Sequence, residues 1–148
     1  TLSWKGFSLN AQFSWVADRW MFNNDRFFEE SNGLYTVYNQ SRRLLYDRWK
    51  KPGDVTDIPR YGITPQMDSR FLEDASFLRL KNLTLGYAVP QNWLEKTHFF
   101  DSARIYVQGQ NLLTFTKFSG IDPESSSNIY AAQYPMSRQF TLGIELSF

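Results

Sequence analysis

The sequence predicts an all-β fold in which antiparallel strands form part of the wall of a transmembrane barrel. Three observations carry this prediction: segments of about ten residues alternate between apolar and polar side chains, long and short connections alternate along the chain, and charge is concentrated in the connections. Aromatic residues make up 18% of the 148 residues, although the mean hydropathy is only -0.47. Many rings in a polar background are typical of a protein that meets an interface as well as a core.

Four segments have the period-two pattern of a strand. The final segment is the most regular, because Phe140, Leu142 and Ile144 alternate with Thr141 and Gly143. The pattern predicts strands over about 6–16, 76–89, 102–116 and 137–148.

The second of these strands changes phase. Leu78 and Leu80 lie out of step with the leucines that follow Asn82, and a β-bulge near Asn82 restores the register. Without such a bulge, Arg79 and Lys81 project outward. In that arrangement they are candidate contacts to lipopolysaccharide phosphates.

The connections between the strands differ greatly in length. Trp4-Lys5-Gly6 and the segment 90–101 are short, whereas the segments 17–75 and 117–136 are long. Of the 31 charged residues, 19 fall within 17–75. Outer-membrane barrels have short periplasmic turns and long extracellular loops, so the asymmetry favours a barrel.

The first long connection has structure of its own in this prediction. Apolar residues from Leu34 to Trp49 keep roughly helical spacing, with Ser31 or Asn32 as a cap and Pro52-Gly53 as the end. The sequence therefore predicts a helix over 34–49 within a folded loop.

Alternation alone also fits a soluble β-sandwich, and a carbohydrate-binding module of that kind is the alternative function. In a barrel the apolar face meets lipid, and closure takes about eight strands or more. Four strands therefore require further strands from elsewhere. The start of the chain lacks the pattern of a signal peptide, so we expect either a cytoplasmic protein or a chain whose beginning lies upstream.

Other function classes find little support. The net charge of +1 offers no basic face for nucleic acid, and the absence of cysteine excludes disulfides. His98 is the only histidine, and we expect it in a turn. The pair Glu29-Glu30 is typical of solvated charge, and the segment 122–124 is typical of a turn. The sequence predicts no enzyme, no catalytic residues, no cofactor and no metal site.

Two motifs give a more specific resemblance. The segment Asn111–Glu124 (NLLTFTKFSGIDPE) and the segment Phe77–Tyr87 (FLRLKNLTLGY) resemble signatures of the SusC/RagA family of TonB-dependent transporters. The loop with Arg48-Trp49, Pro52-Gly53 and Asp57–Arg60 is similar to the loop before that second signature. The end of the chain, LSF, resembles the aromatic-ended signal of outer-membrane barrels.

The resemblance implies that the chain is the C-terminal part of a barrel of about 22 strands, whose plug domain lies outside this sequence. It implies import of glycan or peptide fragments across the bacterial outer membrane. It implies four partners: the rest of the barrel with its plug, a SusD-like lipoprotein lid, the TonB complex and outer-membrane lipid. With Phe148 facing the periplasm, the loops 17–75 and 117–136 are extracellular.

Two further sets of candidate site residues follow from this topology. The polar face of the wall supplies candidates for contact with the lumen or plug: Arg104, Gln108, Gln110, Thr141 and Glu145. Exposed rings stack well on sugars or on a partner protein. The long loop supplies these candidates for contact with a partner or substrate: Tyr35, Tyr38, Trp49 and Tyr61. A small core within the loop is the alternative role for these rings.

Overall fold

The computed structural model describes residues 1–96, 99–131 and 133–148, so His98 lies outside the described residues. The chain divides into two units. The sheet unit comprises Thr1–Val16, Phe77–Phe115 and Met136–Phe148. The loop unit comprises Ala17–Ser76 and Thr116–Pro135.

The described residues are mostly strand, with short helices between the strands. The strands are β1 (Leu2–Trp4), β2 (Phe7–Val16), β3 (Trp20–Asn23), β4 (Leu72–Asp74), β5 (Phe77–Ala88), β6 (Ser102–Thr116), β7 (Ile129–Tyr130) and β8 (Gln139–Ser147). The helices are α1 (Asn24–Glu29), α2 (Arg43–Tyr46), α3 (Gln91–Leu94) and a 3-10 turn at Ser69–Phe71. The four long strands lie within two residues of the ranges given by the alternation. No helix among the described residues has the length and hydropathy needed to cross a membrane.

The sheet unit contains one five-stranded sheet in the order β1-β2-β5-β6-β8. The strand pairs β1–β2, β2–β5 and β6–β8 are antiparallel. Directly opposed residues point to the same face of an antiparallel pair. Leu9 lies opposite Leu85, and Ile105 lies opposite Ile144, so the apolar phases of neighbouring strands coincide. One face of the sheet is consequently apolar, and many of its side chains are exposed.

A two-residue turn joins β1 to β2. Trp4 pairs with Phe7, which leaves Lys5 and Gly6 as the turn, with φ of 45° and 85°. Positive φ at both central positions is typical of a type I′ turn, whose twist matches that of the flanking strands. Glycine suits the second position because a Cβ there would lie 3.0 Å from the carbonyl oxygen of Ala88.

The predicted bulge in β5 is confirmed, one residue before Asn82. Gln12 pairs with Asn82, but Phe13 pairs with Leu80, so Lys81 is the extra residue. The bulge returns Leu78 and Leu80 to the face that carries the later leucines of the strand. If Lys81 were instead paired in a regular ladder without a bulge, half of the leucines of this strand would point toward the polar face.

The loop unit contains a second sheet in the order β4-β3-β7. β3 pairs antiparallel with β4 but parallel with β7, which departs from the all-antiparallel prediction. Met21, Ala75, Phe118 and Tyr130 form its buried core. Phe118 packs on Tyr130 at 5.0 Å between ring centroids, in an edge-on geometry. This core explains why a long charged connection is ordered.

The predicted helix over 34–49 is wrong: only Arg43–Tyr46 is helical within it. Asn32 and Gly33 have φ of 55° and 96°, so the chain reverses where the helix was expected to begin. The Gln40 side chain donates to the carbonyl oxygens of Tyr35 and Tyr38 at 3.3 and 3.2 Å. The Tyr35 carbonyl oxygen also accepts from the Tyr38 N–H at 3.2 Å, so the segment forms a turn that the Gln40 side chain closes, and no helix continues from it.

Candidate functional site

The polar face of the sheet carries an ion pair near the ends of β6 and β8. Arg104 and Glu145 lie directly opposite each other, and Arg104 Nη1 donates to Glu145 Oε2 at 3.2 Å. Arg104 Nη2 also donates to Ser8 Oγ at 3.3 Å. The guanidinium group therefore links side chains that lie on β2, β6 and β8.

Two glycines give space to large side chains of β6 on this face. A Cβ on Gly86 would lie 2.8 Å from Arg104 Nε, and a Cβ on Gly143 would lie 2.2 Å from the Tyr106 ring. Gly143 is the direct partner of Tyr106 across the sheet. The large side chains of β6 thus lie over neighbouring strands at positions that lack a side chain.

The register brings the five candidate lumen-facing residues to one face. Gln108 pairs with Thr141, Gln110 pairs with Gln139, and Arg104 pairs with Glu145. These pairs alternate with apolar pairs such as Val107 with Leu142. The face offers amide, hydroxyl and charged groups to whatever it meets.

The candidate lipid contacts Arg79 and Lys81 have different positions. Arg79 pairs with Ser14 on the polar face, is 3% exposed, and donates from Nε to Thr114 Oγ1 at 3.0 Å. The lipopolysaccharide hypothesis requires a side chain that points outward from the barrel. The register instead places the Arg79 side chain on the opposite, polar face of the sheet. Lys81 is the half-buried bulge residue.

The four candidate aromatic residues of the loop unit have three different surroundings. Tyr35 and Tyr38 contact Phe28 in a tilted geometry, with centroid distances of 5.0 and 5.5 Å. Part of this aromatic group is therefore a core of the loop itself, although Tyr38 remains exposed. Trp49 lines a separate cavity with Pro59 and Pro65, among other residues.

Tyr61 is exposed, and its ring faces the guanidinium group of Arg48 at 5.2 Å. A cation over the face of a ring is attracted by the ring's negative surface. Tyr61 thus has an intramolecular partner on one side and solvent on another.

The strongest electrostatic feature is a network of five charged side chains in the loop unit. Arg26 contacts Glu30 at 3.1 Å, Asp57 at 2.9 Å and Glu73 at 3.1 Å. Arg43 contacts Glu30 at 2.7 Å and Asp57 at 2.8 Å. The Glu30 side chain is only 2% exposed, so its ion pairs are largely shielded from solvent. We call these five residues the Arg26 network.

The network sets the ionisation of its carboxylates. Burial raises the pKa of Glu73, but hydrogen bonds from the Ser119 N–H and hydroxyl, with Arg26, bring the pKa below its ordinary 4.5. Burial likewise raises the pKa of Asp57, and the hydrogen bond from Arg43 lowers it below 3.8 overall. Both carboxylates are therefore held in the charged form.

The sequence did not reveal this network. Only the four-residue spacing between Arg26 on α1 and Glu30 at its C-terminal cap was a visible signal. Instead, the Glu29-Glu30 pair suggested solvated charge, and that interpretation is wrong for Glu30, which is buried. The turn expected at 122–124 is present, since Asp122 Oδ1 accepts from the Glu124 N–H at 2.9 Å.

The described part of the chain contains no set of side chains that could bind a metal ion. No group of three or more histidine, cysteine, aspartate or glutamate side chains there is arranged to hold an ion.

Comparison with known proteins agrees with the motifs. No family model matches the chain. The chain is 38% identical over 150 residues to TonB-dependent receptor P3 of Formosa agariphila. The matched region covers 86% of this chain and 15% of the relative. The chain is 40% identical over 82 residues to TonB-dependent receptor SusC of Bacteroides thetaiotaomicron, covering 55% of this chain and 8% of the relative.

A solved structure, described as the RagAB peptide transporter, covers 99% of this chain and 16% of its own, with 45% identity and a TM-score of 0.89. The curated relatives P3 and SusC are matched over only 15% and 8% of their length, so this chain spans a small part of such a protein. The motifs, the strand arrangement and these likenesses agree: the chain belongs to the SusC/RagA family of TonB-dependent receptors.

Proposed function

We propose that this chain forms the C-terminal part of the barrel of a TonB-dependent importer in the bacterial outer membrane. The observation that carries the proposal is the single apolar face of the sheet. Leu142 and Ile144 on β8 are 72% and 63% exposed, and their neighbours on the opposite face are polar. Lipid is the solvent in which such a face is stable.

The rest of the barrel and its plug are the first proposed partners. β1 and β8 lie at the edges of the sheet, and unpaired backbone groups at an edge are costly in a bilayer. Further strands of the same polypeptide, about 22 in all, pair with these edges and close the wall. Arg104, Gln108 and Glu145, among the polar-face residues, then face the plug or the substrate path.

The extracellular partner in this proposal is a SusD-like lipoprotein that covers the loops. The proposal takes support from the likeness to SusC and to the RagAB peptide transporter. Tyr38, Trp49 and Tyr61 remain the candidate contacts to that lid or to glycan or peptide fragments. TonB acts through parts of the protein outside this sequence, and the end of β8 faces the periplasm.

A soluble carbohydrate-binding sandwich is the less favoured function. In a sandwich the apolar face is covered by a second sheet. Phe140 is 75% exposed and Leu142 is 72% exposed, so the apolar face of β8 is open. The barrel is the arrangement that gives this open face an apolar environment.

The test places a fluorophore on either face of β8 in the full-length receptor. Leu142→Cys and Thr141→Cys are adjacent in sequence and point to opposite faces. After reconstitution in bilayers that contain brominated lipid, we expect strong quenching at position 142 and weak quenching at position 141. Equal quenching at both positions, or recovery of the receptor outside the outer membrane, would contradict the proposal.

A further inference from the structure

The loop unit contains a cavity of about 450 Å³ next to the Arg26 network. Its lining includes three carboxylates and two guanidinium groups: Asp25, Glu29, Glu30, Arg26 and Arg43. All of its lining residues belong to the loop unit. The cavity is large enough for a small polar group with part of its attached chain.

Glu30 is the unusual member of this lining. Its Oε1 accepts from Arg26 Nε at 3.1 Å and from Arg43 Nη1 at 2.7 Å. Its Oε2 is buried and accepts from no donor among the described residues. A buried carboxylate oxygen without a donor is destabilising, so a ligand that supplies one gains binding energy.

The charges around Glu30 select the kind of donor. Of the five charged side chains that line the cavity, three are carboxylates and two are guanidinium groups, which leaves one excess negative charge. The guanidinium groups are directed at carboxylates, since Arg26 bonds Glu30, Asp57 and Glu73. The cavity therefore presents acceptors and excess negative charge, which suits a cation and repels an anion.

We propose that this cavity binds a primary ammonium group, with Glu30 Oε2 as the acceptor of its hydrogen bond. A charge-assisted hydrogen bond of this type is about twice as strong as one from a neutral hydroxyl group. Because Oε2 is covered before binding, binding includes a shift of the side chains that cover this atom.

The inference deepens the proposed import function, on which it rests, by naming a substrate class. A peptide fragment carries a primary ammonium group at its N-terminus, whereas a neutral glycan carries none. The cavity thus favours peptide fragments over neutral glycans as the molecules that the loop unit recognises.

The test is calorimetric titration of the purified full-length receptor with triglycine and with N-acetyltriglycine. We expect triglycine to bind at least about tenfold more tightly, because acetylation removes the ammonium charge. Glu30→Gln should abolish this preference, whereas Glu95→Gln, an exposed position in the sheet unit, should retain it.

A second variant guards against an effect of Glu30→Gln on folding. Ile121 is 63% exposed, lines the cavity and carries no charge, so Ile121→Trp should block the cavity and weaken triglycine binding without disturbing the ion pairs. Equal binding of the two peptides, or a preference that survives both variants, would overturn the inference. The quenching experiment on β8 is independent of this result, so the two proposals fail separately.

Discussion

At the scale of single residues, Arg26 has more consequence than any residue singled out from the sequence. Its guanidinium group binds three carboxylates: Glu30, four residues away, and Asp57 and Glu73, which are distant in sequence. The planar fork of arginine presents several N–H groups in fixed directions, which the single ammonium of lysine cannot reproduce. At position 26 the geometry of the N–H donors is therefore more important than the positive charge.

We expect Arg26→Lys to destabilise the loop unit by about 2 kcal/mol, because Glu30 keeps its burial while losing a donor. Hydrogen exchange of the amides in 23–31 of the full-length receptor should accelerate by roughly thirtyfold. Arg42→Lys is the matched control, since Arg42 is exposed and stacks only on Tyr46 in the described contacts. Equal exchange in the two variants would mean that the network does not hold this segment.

At the scale of elements, the bulge at Lys81 keeps β5 in phase. Removing Lys81 leaves a sequence in which Leu80, Asn82 and Leu83 follow the partners Phe13, Gln12 and Ala11 without interruption. The apolar and polar residues then alternate strictly. A deletion elsewhere in the strand breaks the alternation, because every side chain on one side of the deletion moves to the other face of the sheet.

We therefore expect the full-length receptor to assemble when Lys81 is deleted but to fail when Thr84 is deleted. The measurement is the fraction of receptor in the outer membrane that resists unfolding in detergent until heated. Both variants lose one residue from the same strand, so a difference between them does not arise from strand length. Assembly of the Thr84 deletion, or failure of the Lys81 deletion, would show that register does not govern this strand.

The elements also show what the sequence could predict. The long strands, the Lys5-Gly6 turn and the bulge were predictable because alternation and turn residues are local signals. The helix over 34–49 was not a correct prediction, because Gln40 bonds the carbonyl groups of Tyr35 and Tyr38. The Arg26 network joins residues up to 47 positions apart, and a local pattern contains no trace of such pairings.

At the scale of the whole molecule, the lowered pKa values give the loop unit a pH dependence. A carboxylate whose folded pKa is lowered stabilises the fold fully above its unfolded pKa. That stabilisation is lost as the pH falls through the folded value. For Glu73 and Asp57 the loss therefore begins near their ordinary values of 4.5 and 3.8 and continues below them.

We expect the loop unit of the full-length receptor to lose hydrogen-exchange protection between about pH 5 and about pH 2, after correction for intrinsic exchange rates. The strands of the sheet unit serve as the internal reference. Glu73→Gln should lower protection at neutral pH and flatten the pH dependence. Protection that is constant over this range would contradict the assignment of the lowered pKa values to the network.

The pairing of Val16 with Phe77 has a consequence for how such receptors diversify. The backbone leaves the sheet after Val16 and returns at its direct neighbour, so the ends of the intervening segment are held together as in a two-residue hairpin. Lengthening a closed segment adds only about 0.6 kcal/mol of chain entropy for each doubling. Evolution can therefore exchange the whole segment for another of different length and chemistry, and the strands that frame it keep every partner they had.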